Sequence, residues 1–232
     1  MRFTDDDLHL LGQHDAPLFD HVAGHFRKTG FSFCSFGLRL PVPLAQPRIV
    51  ILDTYPQAWM KRFDSQCYVE VDPTILHAAR SEDFVLWSPE LFGNAGGMWD
   101  DANAHGLNVG WGKPGRMNGM IGMLSLSREA DPLSPLEVAA HAADLTRMNE
   151  MLMVALSRQF VADHIPESKA VLTEREKDVL RWTADGKTAH EIGLILSLSV
   201  ATINFHINKA VAKLDSVNKT QAVVKAAMLG LL

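Results

Sequence analysis

Cysteine is scarce in this chain: 232 residues hold two, Cys34 and Cys67, far apart and without a CxxC pair. Such spacing supplies neither a disulfide framework nor a zinc site, and a reducing cytoplasm is the expected compartment. Long apolar runs are missing as well. None approaches the roughly eighteen residues that would cross a bilayer. The opening Met1–Asp7 is acidic, unlike the basic start of a secretory leader, so no membrane partner is expected. Motifs for chemistry are equally thin. Gly106–Lys113 glances at a phosphate loop, but Leu107 stands where the first Gly is needed and Pro114 replaces Ser or Thr. His21 and His25 could touch one metal, yet no third ligand lies near. No Ser-His-Asp or Cys-His order can be argued. The expectation is a protein that is not an enzyme and has no cofactor and no metal.

What is present is a globular composition, 47% hydrophobic and 21% charged, with a net charge of −5. That charge is unevenly placed. From Lys169 onward nine Lys and Arg face six Asp and Glu, a net of +3, while the remaining thirteen against twenty-one leave −8. A positive tail is where phosphates would be met. Between the halves, Ala162 to Ala170 follows a long helical pattern and contains Pro166. The expected organisation is a domain at 1–163, a linker at 164–171 and a domain at 172–232.

The tail is punctuated as four short helices. Thr173-Glu174-Arg175-Glu176 has the Thr-x-x-Glu form of a capping box. Val179, Leu180, Trp182 and Thr183 follow at helical spacing, and Gly186 is placed to end that helix. A second runs through Ala189, Ile192 and Ile195 to Leu196. Ser199 caps a third, Val200 to Leu214, with Ile203, Ile207, Val211 and Leu214 on its apolar face. Thr220 is expected to cap a fourth. A tight turn between the second and third is the geometry of a helix-turn-helix. The outer face of the third helix carries Thr202, Asn204, His206, Asn208, Lys209 and Lys213. Asn204 and Asn208 project from one side, and Asn can bond adenine bidentately, while Thr, Lys and protonated His suit phosphate or guanine. On these residues alone, a solvated face of a helical interaction domain is the alternative.

The first domain reads as a sheet with helices on both faces. Strand-like runs lie at Phe31–Leu40, Arg48–Asp53, Leu107–Gly112 and Met120–Ser127, with a short one at Phe84–Trp87. Helical patterns lie at Asp15–Lys28, Tyr55–Asp64, Thr74–Ala79, Trp99–His105 and Pro135–Val161. The fold class is therefore α+β: an N-terminal α-β-α sandwich with an antiparallel sheet, and a C-terminal all-α four-helix domain. Surplus apolar surface on the long helix could pair with a second copy, and a homodimer is favoured because one recognition helix reads too few base pairs. Tyr55 and Trp59 are four apart and combine apolar bodies with polar handles. Asp72 precedes Pro73 and is pushed out of the helical region. Donors, a carboxylate and aromatics could hold a small apolar ligand with one amide. Core packing, with Asp72 as a plain N-cap, is the other reading of the same residues.

The tail from Leu172 resembles the DNA-binding domain of LuxR-type transcription regulators, through Glu176, Leu180, Gly186, Thr188, Ile192, Thr202, His206, Lys213 and Leu214. By that resemblance Thr188 joins the outer-face residues in contacting DNA. Asn208, where many relatives have their Asn one residue later at Lys209, is a departure that bears on operator contacts. The first domain resembles the autoinducer-binding domain of the same regulators, through Tyr55-Pro56 with Trp59, Tyr68 with Asp72-Pro73, Trp87, Trp99, Gly106 to Gly110 and Leu124–Ser127. The resemblance implies an N-acyl-homoserine lactone ligand. Trp59 would donate to the lactone carbonyl, Asp72 accept from the amide N–H, and Tyr55 and Ser125 bond the amide carbonyl. Trp87, Trp99 and Leu107 would wall the ring, and Phe63 and Val71 the acyl chain. Phe63 replaces a Tyr of many relatives and removes a hydroxyl near the tail. The implied function is quorum-sensing control by a homodimer on an inverted-repeat, double-stranded operator, with RNA polymerase as a further partner. A regulator of this fold answering another ligand, or none, is the alternative. A receiver domain and a lactone hydrolase find no supporting residues.

Overall fold

The computed structural model describes residues 17–232. The acidic opening Met1–Asp7 and the helix start expected at Asp15 lie outside them. By compactness the chain forms two units, divided after Arg158, and each is described by itself.

In the first unit, α1 (Pro17–Arg27) leads to β1 (Phe33–Arg39) and β2 (Ile49–Asp53). Then come α2 (Gln57–Ser65), α3 (Pro73–Ala78), β3 (Val85–Leu86), α4 (Pro89–Phe92) and α5 (Met98–Ala104). The hairpin β4 (Val109–Met117) and β5 (Met120–Arg128) precedes the long α6 (Pro135–His164). Asn118 and Gly119 supply its turn with φ of 49° and 75°, the paired positive values of a tight hairpin. The strands form one antiparallel sheet in the order β2-β1-β5-β4-β3.

Period-two alternation gives the sheet two working faces. Cys34, Phe36, Leu38, Leu124 and Leu126 are buried on one, against α1 and α6. There α6 comes so close that a Cβ at Gly122 would lie 1.9 Å from the Met153 sulfur. Ser35, Gly37, Arg39, Ile121, Met123 and Ser125 turn to the other face, which α2, α3 and α5 cover.

Three elements differ from expectation. α2 begins at Gln57 rather than Tyr55: Pro56 is its N-cap with a non-helical ψ of 132°, and the residue before a proline is disfavoured in a helix. β4 runs on through Pro114 to Met117, past the expected end at Gly112. β3 pairs only with Trp111 and Gly112, so from Lys113 onward β4 is an edge, where proline is tolerated. The four-residue α4, capped by Ser88, is too short to show a period.

The second unit contains α7 (Glu174–Ala184), α8 (Ala189–Leu196), α9 (Val200–Lys213) and α10 (Lys219–Met228). Thr173 with Glu176 and Thr188 with Glu191 form complete capping boxes. The fourth cap is Asn218, not Thr220: its side chain accepts from the Gln221 N–H. Val179, Ile192, Ile203 and Ile207 lock α7, α8 and α9 together, and Leu180, Ala210, Leu214, Ala222 and Ala226 join α10 to α7 and α9. Between α8 and α9 the chain bends by 107°. A Cβ on Gly193 would lie 2.7 Å from the Leu198 carbonyl oxygen, so this turn closes only over a glycine.

Candidate functional site

The second face of the sheet floors a cavity of about 430 Å³, within the range of small-molecule sites. Strand pairing assembles the floor. Ser35 lies opposite Ser125, and Ser125 opposite Gly112, whose missing side chain leaves the Ser125 hydroxyl room. Ile49 and Ile51 extend the floor, and α2, α3 and α5 wall it with Trp59, Phe63, Thr74, Ile75, Met98 and Ala102.

Seven sequence-predicted ligand residues meet in this cavity: Tyr55, Trp59, Phe63, Asp72, Trp87, Leu107 and Ser125. Two do not. Val71 closes the turn after Tyr68–Glu70 and points outward, 40% exposed, while Val69 lines the cavity in its place. Trp99 packs behind Phe92, their ring centroids 4.9 Å apart, and it is Phe92 that faces the interior. Ser35, Arg39, Thr74 and Met123 were not among the expected residues. Alternation along β1 carries a signal for the first two, but only once β1 is known to pair with β5.

Asp72 is both a cap and a cavity group. Its Oδ1 accepts from the Thr74 N–H at 2.8 Å and the Thr74 hydroxyl at 2.7 Å, which starts α3. A carboxylate has room for about four such bonds, so acceptor capacity remains for a ligand. Burial raises its pKa, opposed by the Thr74 bonds. Burial likewise drives the Tyr55 phenol far above its ordinary value, opposed by the Ser35 hydroxyl, so Tyr55 stays a neutral donor. The Trp87 indole N–H is buried without a hydrogen-bond partner. An apolar enclosure with donors and one acceptor at one end suits an amphiphile with a compact polar head.

A clasp joins two of the walls. Asp101 of α5 accepts from Arg62 Nε of α2 at 2.6 Å and from the Tyr68 hydroxyl at 2.5 Å. Those two donors, Arg62 first, hold the Asp101 carboxyl below its usual range. Tyr68 in turn stacks on Trp59 at 6.0 Å.

In the second unit α9 presents Asn204, Phe205, Asn208 and Lys209 to solvent. Lys209 Nζ sits 5.6 Å over the Phe205 ring, and Phe205 is 56% exposed. Phe205 was not predicted, although it falls between Ile203 and Ile207 in sequence and so opposite them on the helix. His206 and Thr202 are half-buried, the Thr202 hydroxyl lying 2.8 Å from Ser199 Oγ. Thr188 is exposed at the start of α8, its hydroxyl engaged with Glu191. Lys213 departs from the expected set. Its ammonium donates to Glu176 Oε2 at 2.7 Å and the Val171 carbonyl at 3.0 Å. Glu176 is 4% exposed; burial alone would raise its pKa, but Lys213 and the Thr173 N–H outweigh that and hold it low. Lys213 is thus an internal tie.

Comparison with known proteins agrees with both halves. Residues 15–156 match the autoinducer binding domain, and residues 170–226 match the bacterial regulatory proteins of the luxR family. The transcriptional activator SolR of Ralstonia nicotianae is 39% identical, over 95% of this chain and 94% of its own. The quorum-sensing regulator RhlR of Pseudomonas aeruginosa is 36% identical, over 94% and 91%. A solved structure of SdiA, an Escherichia coli regulatory protein, in complex with octanoyl-rac-glycerol is 30% identical and superposes with a TM-score of 0.81, over 100% and 98%. The chain belongs to the LuxR family of quorum-sensing transcription regulators, with an autoinducer-binding domain followed by a helix-turn-helix DNA-binding domain.

Proposed function

We propose that the ligand is an N-acyl-homoserine lactone and that the chain acts as a cytoplasmic homodimer on an inverted-repeat operator, working with RNA polymerase. The observation that carries this is the convergence of Tyr55, Trp59, Asp72 and Ser125 at one cavity with apolar walls. Asp72 accepts the amide N–H, Tyr55 and Ser125 donate to the amide carbonyl, and Trp59 donates to the lactone carbonyl. Trp87, Phe92 and Leu107 enclose the ring, and Phe63 lies along the chain. Residues 1–163 form the sensing domain, 164–171 the linker and 172–232 the DNA-binding domain. In the last, Asn204 and Asn208 read bases, while Thr188, Thr202, His206 and Lys209 meet the backbone. Half-sites one turn apart, about 34 Å, follow from a two-fold axis.

A thermal-shift series with lactones of increasing chain length tests the ligand. A ligand binding only the folded form stabilises it by about 2.7 kcal/mol at a hundredfold excess over its Kd. The expected result is a peak at one length, abolished in Asp72→Asn. Unchanged operator selectivity in Asn204→Ala would remove that residue from base reading. A second reading draws on the SdiA complex: an acyl glycerol offers hydroxyls and an ester instead of an amide. It predicts that octanoyl-glycerol raises the melting temperature more than any lactone does, its hydroxyls replacing the amide N–H as donors to Asp72.

A further inference from the structure

The cavity has a second polar end. Along β1 the residues facing it are Ser35, Gly37 and Arg39. Pairing places Ser35 beside Ser125 and Arg39 beside Ile121, four residues earlier on β5. By strand rise the two rows are about 13 Å apart, the reach of a medium-length extended acyl chain. Between them the floor is Gly37, Ile51 and Met123, wholly apolar, and a Cβ on Gly37 would touch nothing within 4 Å. A ligand whose head lies at Asp72 and Ser125 therefore directs its tail toward Arg39.

Arg39 is half-buried and, among the described residues, its guanidinium has no hydrogen-bond or ion-pair partner. Its charged neighbour is another cation, Arg116, which donates to the Ala78 carbonyl at 2.9 Å and lies 3.7 Å from Glu82. A purely aliphatic tail gains nothing from a guanidinium at its terminus and leaves it more desolvated than before. A fixed planar fork is instead suited to receiving a carboxylate bidentately. We propose that the distal end of this cavity is an anion-accepting subsite built on Arg39, and that the preferred ligand carries a carboxylate at the far end of its acyl chain. This rests on the reading of the cavity as the site of an acylated small molecule. Burial and the charge of Arg116 both lower the pKa of Arg39, the direction that an incoming anion relieves.

The test is calorimetric binding to the full chain of three probes: N-octanoyl-homoserine lactone, its ω-carboxy analogue, and octanedioate without a head group. The expected result is that the ω-carboxy lactone binds wild type about tenfold tighter than the plain one, the scale of one charge-assisted pair. Arg39→Met should remove that gain and improve the plain lactone, and Arg39→Lys should keep part of it. Equal or tighter binding of the plain lactone, sensitive to Asp72→Asn, would overturn the subsite and leave the lactone reading standing. Binding of octanedioate that Arg39→Met abolishes, with neither lactone bound, would keep the subsite and overturn the lactone head. Silence from all three would overturn both.

Discussion

At Asp72, burial raises the carboxyl pKa while the Thr74 hydroxyl and N–H pull it down. A protonated carboxyl is a poorer acceptor for a ligand N–H, so ligand affinity is expected to fall as pH drops through the folded-state pKa. Stability without ligand runs the other way. The folded pKa lies above the unfolded one, so the native form holds more protons in the interval between them; this contribution is full below the unfolded pKa and is lost as pH rises through the folded value. Asp72→Asn should flatten both profiles, in calorimetric titrations and in thermal melts across that interval. From the sequence, Asp72 could be a cap or a ligand group, and the structure gives it both positions, because one carboxylate has acceptor sites enough for each. Lys213 shows the opposite limit of reading residue types. A lysine on the outer side of a recognition helix suggests phosphate, yet its partner Glu176 stands 37 residues earlier, a contact no local pattern reveals. Lys213→Met leaves a buried carboxylate without its cation and, with the lysine itself partly exposed, should cost about 1–3 kcal/mol. Chemical denaturation of the DNA-binding domain would register that loss, while the salt dependence of operator binding stays unchanged.

Helix starts were legible where caps are written in adjacent residues: Thr173 and Ser199 begin helices in the structure as they do on paper, while the capping box of Thr188 and Glu191 went unread. The Tyr55–Trp59 pairing was reached by a faulty route. Both side chains enter the cavity, but Tyr55 does so from the bend ahead of α2 rather than from a shared helical face. The far half of β4 was hidden by Pro114, since whether a proline disrupts a sheet depends on whether a neighbour strand lies beside it. Two glycines set what these elements can do. Gly193→Ala would drive a Cβ against the Leu198 carbonyl and cost about 1–3 kcal/mol as an overpacked turn. Electrophoretic mobility shift should show operator binding lost, with ligand affinity unaltered. Gly37 faces open space in mid-floor. Gly37→Val should fold normally and shift the preferred acyl length downward, as read in the melting-temperature series.

At the scale of the molecule, charge separation between the halves was visible in composition, and it sets a prediction for binding. Operator affinity should decline steeply with added salt through the basic tail, following counterion release, and Lys209→Gln should make that slope shallower. The α+β class and the helical tail were legible because they rest on local periods. The cavity was not, because its floor comes from Ser35 and Ser125, ninety residues apart and joined only by strand pairing. The clasp of Asp101 with Arg62 and Tyr68 adds a consequence in time. It fastens α2 to α5, and both helices wall the cavity. If a bound molecule leaves between these walls, its departure is limited by how often the clasp opens. Asp101→Asn should raise the dissociation rate in stopped-flow dilution far more than the association rate. On that expectation an intact clasp keeps the site loaded after the free ligand has fallen away, so that the response to a signal lags behind its loss.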